Sequence, residues 1–324
     1  MHNVYSTRRP VATLPRSLSA PAAWAAISLP LLFIVLWSSG YVLGKIGLTH
    51  TGPLTLLALR FGLAAVVLLA IALLTGAPWP RHAREWAHLV VVGLLMQVLQ
   101  FVGVYEGMRQ GLPSGIAALL IGMMPLATAL GAHLWLAERV GRRQGLGLLG
   151  GLAGVLLVVI GKPLEGGAGW QPYALALLGL LGLAAGTLYQ KRFCAGMDLR
   201  SGACIQMGVS AAVVIPLAGV FEGFAVQWNG EMVFAALWLA LVNSIGAFSL
   251  LFVMVRRGQA SKVARLFYLI PGVSALMGFV LLGEHLPLLA LLGFGVSAGA
   301  VAVASMHPAT PLSAGAASNG RLQQ

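Results

Sequence analysis

RQGLPSGIAALLIGMMPLATALGAHLWLAERV, residues 109–140, decides the fold. From Gln110 to Ala137 it contains no Asp, Glu, Lys or Arg. A helix rises about 1.5 Å per residue, so ~20 apolar residues cross a bilayer core of about 30 Å. The stretch therefore reads as a membrane-spanning helix, with Pro125 inside its apolar run and Glu138 at its end. The chain repeats the design at 256–286, RRGQASKVARLFYLIPGVSALMGFVLLGEHL, where Pro271 and Glu284 stand 13 residues apart, as Pro125 and Glu138 do. The second copy follows the first by 146 residues, a little under half the chain. The chain thus reads as a two-fold internal repeat.

The totals agree. Hydrophobic residues make up 59% of the 324 and charged residues 9%, against about 25% charged in an ordinary soluble protein. The expected class is an all-α integral membrane protein. Its 42 glycines suit close helix contacts in lipid. The net charge of +12 could suggest nucleic acid, but the basic residues cluster in short segments between apolar runs, as topology signals do. The expected partners are membrane lipids and a small solute, with no nucleic acid. The first apolar run, from Ala22 to Gly44, is too long for the core of a cleaved signal peptide. Cys194 and Cys204 imply no disulfide framework.

Ten spanning helices are expected, at about 24–48, 54–75, 86–107, 113–137, 144–161, 171–190, 201–221, 232–255, 262–282 and 287–306. They group as a first half over 22–162 and a second over 168–306. The flanking tails, a basic 1–21 and an Ala/Ser/Gly/Pro-rich 307–324, are expected to be loose. With both termini inside, the inner segments hold 16 of the 20 Lys and Arg residues; the opposite orientation would invert that bias.

The 146-residue relation extends beyond the proline helices. It pairs Gly40 with Gly186, Lys45 with Lys191, Gln97 with Asn243, and Gly147 with Gly293. The Lys, Gln/Asn, Pro and Glu matches carry the weight, because those types are scarce here. Five helices per half is an odd number, so the second half enters the membrane inverted. In transporters built this way the solute site lies near the midplane between the halves.

Gln97 and Asn243 fall midway along equivalent helices, with Gln100 a turn from Gln97. Amides at that depth face protein or water. They either line a central cavity or bond neighbouring helices. Trp37, Tyr41 and Lys45 form one stripe on the first helix. It could line a solute path, or Lys45 could snorkel to the surface. Arg60 lies inside the second helix and needs a partner. Glu106 is the expected one, in a structural ion pair; a solute carboxylate is the sharper alternative. Glu106, and less so His133, are also the candidates for proton coupling. Glu138 and Glu284 end equivalent helices, as structural ion pairs or as gate latches. Pro125 and Pro271 each remove a backbone donor and predict kinks, with hinging as the alternative. The glycines of the fifth and tenth helices read as packing faces.

Taken together, WSSGYVLGK (37–45), LALRFGLA (57–64), the proline helix ending LAERV (136–140) and RLFYLIPGVSALMGFVLLGEHL (265–286) resemble the EamA-domain transporters of the drug/metabolite transporter superfamily. The resemblance covers nearly all of the chain outside the tails, although the stretch around the sixth and seventh helices is less familiar. It implies a bacterial inner-membrane carrier, usually an exporter of small metabolites such as amino acids, working by alternating access. A non-transporting subunit and a flippase of lipid-linked substrates are the competing readings. An intramembrane enzyme is disfavoured: the seven histidines are scattered, no metal-ligand spacing appears and no cofactor is indicated. Oligomeric state and coupling ion are left open by the sequence.

Overall fold

The computed structural model describes residues 20–136, 142–161, 169–247, 249–250, 254, 269–284 and 288–304. The expected loose tails lie outside these residues, except that Ala20 and Pro21 already belong to the first helix. Among the described residues the protein is helical: α1 (Ala20–Leu48), α2 (Pro53–Leu74), α3 (Ala83–Gly93), α4 (Gln100–Arg109), α5 (Ser114–Gly122), α6 (Met124–Leu136), α7 (Arg142–Gly161), α8 (Gln171–Phe193), α9 (Leu199–Glu222), α10 (Gly230–Leu237), α11 (Ile270–Leu282) and α12 (Leu288–Ala304). Seven continuous spans, for example Ala83–Arg109 and Ser114–Trp135, are long and apolar enough to cross a membrane. Shorter apolar helices stand at the positions of the remaining three expected spans. Large apolar side chains such as Leu74, Val220, Leu134 and Leu288 point outward and are exposed. That would be unfavourable in water and is natural against lipid tails.

The repeat is visible in the helix limits and in the packing. At the 146-residue offset α6 and α11 correspond end to end. α2 packs on α9 and α7 on α12, pairs that the repeat maps onto themselves, and α5 packs on α11. α1 packs on α11 and on residues 238–247; correspondingly α8 packs on α6, on residues 94–99 and on α4.

Two local departures from α-helix sit at equivalent depths. Leu94–Leu99 joins α3 to α4 as a π-helical stretch, and Trp238–Ala247 continues α10 the same way. Gln97 and Asn243 lie inside these stretches. A π-bulge inserts a residue, re-aims the side chains around it and is frequent at functional sites.

At Pro125 the chain breaks rather than bends. α5 ends at Gly122, Met123 makes the turn and α6 begins at Met124, because proline lacks the N–H and crowds the preceding carbonyl. Pro271 lies in the first turn of α11, where a missing N–H costs little. The two proline helices touch there: a Cβ on Gly122 would approach Pro271 Cγ to 3.0 Å, and one on Gly115 would approach Ala275 to 2.8 Å.

Candidate functional site

The centre of the bundle holds a charge. Arg60, on α2, is 1% exposed. Its Nε donates to Ser244 Oγ, its Nη1 to Tyr105 Oη and its Nη2 to Asn243 Oδ1, each at 2.9 Å. Its guanidinium lies 4.0 Å from the centre of the Phe101 ring, a cation–π contact. Two of the three acceptors come from the second half. Among the described residues no carboxylate lies within 4.0 Å of Arg60.

The expected pairing of Arg60 with Glu106 is therefore corrected. Glu106 accepts from Arg109 at 2.6 and 2.9 Å and from Gln110 at 2.9 Å. These partners stand three and four residues along the chain, within local helical reach, and Arg109 keeps a half-exposed side chain at the helix end. Arg60 faces the bundle interior instead.

Around Arg60 the first helix is tied to the second half. Asn243 Nδ2 donates to Leu36 O at 3.0 Å, and Trp238 Nε1 to Ser39 Oγ at 2.8 Å. Between α1 and α11, Ser38 Oγ donates to Ile270 O at 3.3 Å and Ser274 Oγ donates to Ser38 O at 3.4 Å. Gly40 permits this approach, since a Cβ there would stand 2.5 Å from Asn243 Nδ2. Tyr41 is buried, hydrogen-bonded to Trp37 and close to Tyr105 and Arg60.

The structure thus gathers Trp37, Tyr41, Asn243 and Arg60 into one cluster. Gln97 and Gln100 are buried, but Gln97 Oε1 has no hydrogen-bond partner among the described residues. A cavity of about 280 Å³ lies elsewhere, between α5, α11 and α12, lined by Leu119, Gly122, Met123, Pro271, Phe294 and Ser297 among others. It is mainly apolar, and neither amide lines it.

Lys45 belongs to a second cluster at one end of the bundle. Its Nζ pairs with Glu284 Oε1 at 3.0 Å and donates to Leu112 O at 3.0 Å. Glu284 also accepts from Ser114 N at 2.9 Å and from Ser114 Oγ at 2.8 Å. The start of α5 has no side-chain cap of its own, so a carboxylate from the other half caps it, with favourable dipole electrostatics. Burial pushes the Glu284 carboxyl up, but Lys45 and Ser114 outweigh burial and hold it below the usual carboxylate value.

Glu222 does the same for α2, accepting from Leu54 N at 3.0 Å and from Thr55 N and Oγ1 at 2.7 Å. The repeat-equivalent start of α9 is capped from within by Asp198. One helix start is thus closed across the halves and its counterpart by its own neighbour. Glu138 lies outside the described residues.

Sequence reasoning missed Ser244, Phe101, Tyr105 and Glu222. Gln97, Phe101 and Tyr105 recur every four residues on one helix face, a signal that was present. Ser244 adjoins Asn243, and Glu222 is one of only eight acids.

An inverted pair of helical halves, wrapped in lipid-facing apolar side chains and closing on a buried polar centre, defines a multi-pass membrane transporter. The EamA-like transporter family matches residues 24–160 and again 170–306. The chain belongs to that family, a family of transporters rather than enzymes, and is an inner-membrane protein. It is 29% identical over 284 residues to the "Uncharacterized inner membrane transporter YedA" of Escherichia coli (strain K12), covering 86% of this chain and 91% of that one. It is 26% identical over 277 residues to the "Probable amino-acid metabolite efflux pump" of Salmonella typhimurium, covering 82% and 89%. It is 29% identical over 279 residues to the "Probable terminal-alkyne amino-acid exporter" of Streptantibioticus cattleyicolor, covering 84% and 89%. A protein of known crystal structure superposes with a TM-score of 0.58 at 21% identity, covering 86% of this chain and 96% of that one; it bears on the fold alone.

Proposed function

We infer that the chain exports a small metabolite, an amino acid or a close relative of one, by alternating access around the Arg60 cluster. The halves 22–162 and 168–306 are the bodies that move, and both termini face the cytoplasm. One observation carries the reading: a buried guanidinium joins the halves through neutral side chains, where membrane-embedded charge is expensive and ordinarily serves function. The Gln97 oxygen, without a partner among the described residues, supports it, since such a buried acceptor is a place for water or solute. The bias of basic residues supports the orientation, and the similarity to a probable amino-acid metabolite efflux pump and a probable amino-acid exporter supports the solute class.

With this orientation Lys45, Glu284, Ser114 and Glu222 form the outer closure. The alternating step then exchanges these cross-half contacts for equivalents on the inner side. The test is counterflow in proteoliposomes loaded with labelled amino acids. Saturable exchange of one solute class is the expected result. No exchange across a broad panel, with the protein folded and inserted, would overturn the reading in favour of a subunit or a lipid-linked substrate.

A further inference from the structure

The Arg60 guanidinium is satisfied only in part. Arginine has five N–H donors in a planar fork and stays charged at any physiological pH. Three of them meet acceptors here, one from each nitrogen. That leaves one N–H on Nη1 and one on Nη2 without an acceptor among the described residues. One hydrogen from each terminal nitrogen is what an end-on carboxylate takes. Among the described residues the charge itself is met only by neutral dipoles and the Phe101 ring.

Two of the three acceptors, Asn243 Oδ1 and Ser244 Oγ, belong to the opposite half. Any motion that parts the halves at this point removes both and leaves a buried cation with Tyr105 and the Phe101 ring among the described residues. A buried charge stripped of partners is strongly unfavourable, so the parted state needs a replacement.

We propose that the replacement is a carboxylate of the transported solute, and that Asn243 and Ser244 stand in for it when the site is empty. This rests on the transport reading above. The stand-in lets the empty carrier close, and the solute's carboxylate takes its place in the loaded carrier. Charge counting at the guanidinium selects an anionic group of single charge. Arg60 contributes one positive charge, and Lys45 is already engaged by Glu284 in the separate end cluster. A phosphate dianion would leave a net negative charge in the membrane interior. The solute is therefore a monocarboxylate or a zwitterionic amino acid.

The experiment is binding to the purified full chain in detergent, read as ligand-dependent thermal stabilisation. The probes are L-alanine, L-threonine, L-leucine, L-phenylalanine, acetate and pyruvate, with the C-terminal amides of the four amino acids as controls. At least one acid should stabilise the protein saturably, with its amide at least about tenfold weaker, as expected when a hydrogen-bonded charge partner is removed. Arg60→Gln should abolish the difference. Because that variant could fail to fold, Asn243→Asp provides the second arm. It installs a permanent carboxylate on the guanidinium, so the empty protein should become more heat-stable and lose its response to the acid.

Amides as effective as acids would overturn the proposal. So would a response to acid that persists in Asn243→Asp, or a wild-type protein indifferent to every carboxylate tested. Counterflow separates the two readings. Exchange of a solute lacking a carboxylate would leave transport standing and remove this proposal. Arg60-dependent carboxylate binding without any exchange would remove the transport reading and reduce Arg60 to a carboxylate-binding site.

Discussion

Arg60 Nη2 donates to Asn243 Oδ1 at 2.9 Å, and this bond between two buried residues links the halves of the repeat. Its energetics are asymmetric. Losing the acceptor strands a buried charge, whereas losing both partners strands none. Asn243→Leu should cost about 2–3 kcal/mol of stability, and Arg60→Met combined with Asn243→Leu should cost less than Asn243→Leu alone. Unfolding of the single and double variants in mixed detergent micelles checks this. A double variant less stable than the single would show that the arginine contributes through some other contact.

Gly40 should tolerate no side chain. Its absent Cβ is the space that Asn243 occupies, so Gly40→Ala should lower stability by about 1–3 kcal/mol through overpacking. Gly62, on α2, has nothing within 4 Å of its ideal Cβ. Gly62→Ala should be neutral or stabilising by up to about 1 kcal/mol, the helix-propensity gain. Melting temperatures of the two variants read the contrast directly.

Glu284 should give the protein an acid-sensitive end. Burial pushes its carboxyl up, but Lys45 and Ser114 pull it down further and hold it below the ordinary glutamate range. The sign follows. A depressed folded value contributes stability that is fully present above the unfolded value and is lost as pH falls through the folded one. Stability should therefore decline below about pH 4.5, and Glu284→Gln should flatten that decline while lowering stability at pH 7. Equal pH slopes in the two proteins would refute the assignment.

Thr51 and Val226 form an antiparallel bridge between the α1–α2 and α9–α10 connections. Directly opposed residues of such a bridge lie about 4.5–5.5 Å apart at Cα, close enough for a disulfide. The paired variant Thr51→Cys/Val226→Cys should cross-link under oxidation and arrest counterflow, with recovery on reduction. Undiminished exchange by the fully cross-linked protein would mean that this end does not open during transport.

Glu222 should matter more to α2 than an ordinary surface acid. It is the carboxylate that meets the first N–H groups of a helix whose Gly52 offers no side-chain cap. Glu222→Ala should cost about 1–2 kcal/mol, the usual range for a lost cap. Asp198→Ala, which removes the internal cap of α9, should cost a similar amount. Thermal unfolding of both variants measures it.

The sequence by itself determined the class, the count of spans and the repeat. Those follow from hydrophobic run length against a fixed bilayer thickness and from scarce residue types recurring at one offset, and both are one-dimensional quantities. It also marked Gln97 and Asn243 as equivalent, and the π-helical stretches surround both. What it could not determine was partnership. Arg60 was expected to meet Glu106 because both lie on adjacent helices of one half, yet the inverted halves interleave and carry Asn243 and Ser244 to Arg60 from some 180 residues away, leaving Glu106 to the nearby Arg109. Glu284 and Glu222 likewise cap helices of the opposite half. Hydrogen bonds act over about 3 Å, so which groups meet depends on how ten helices cross, and only the tertiary structure decided that.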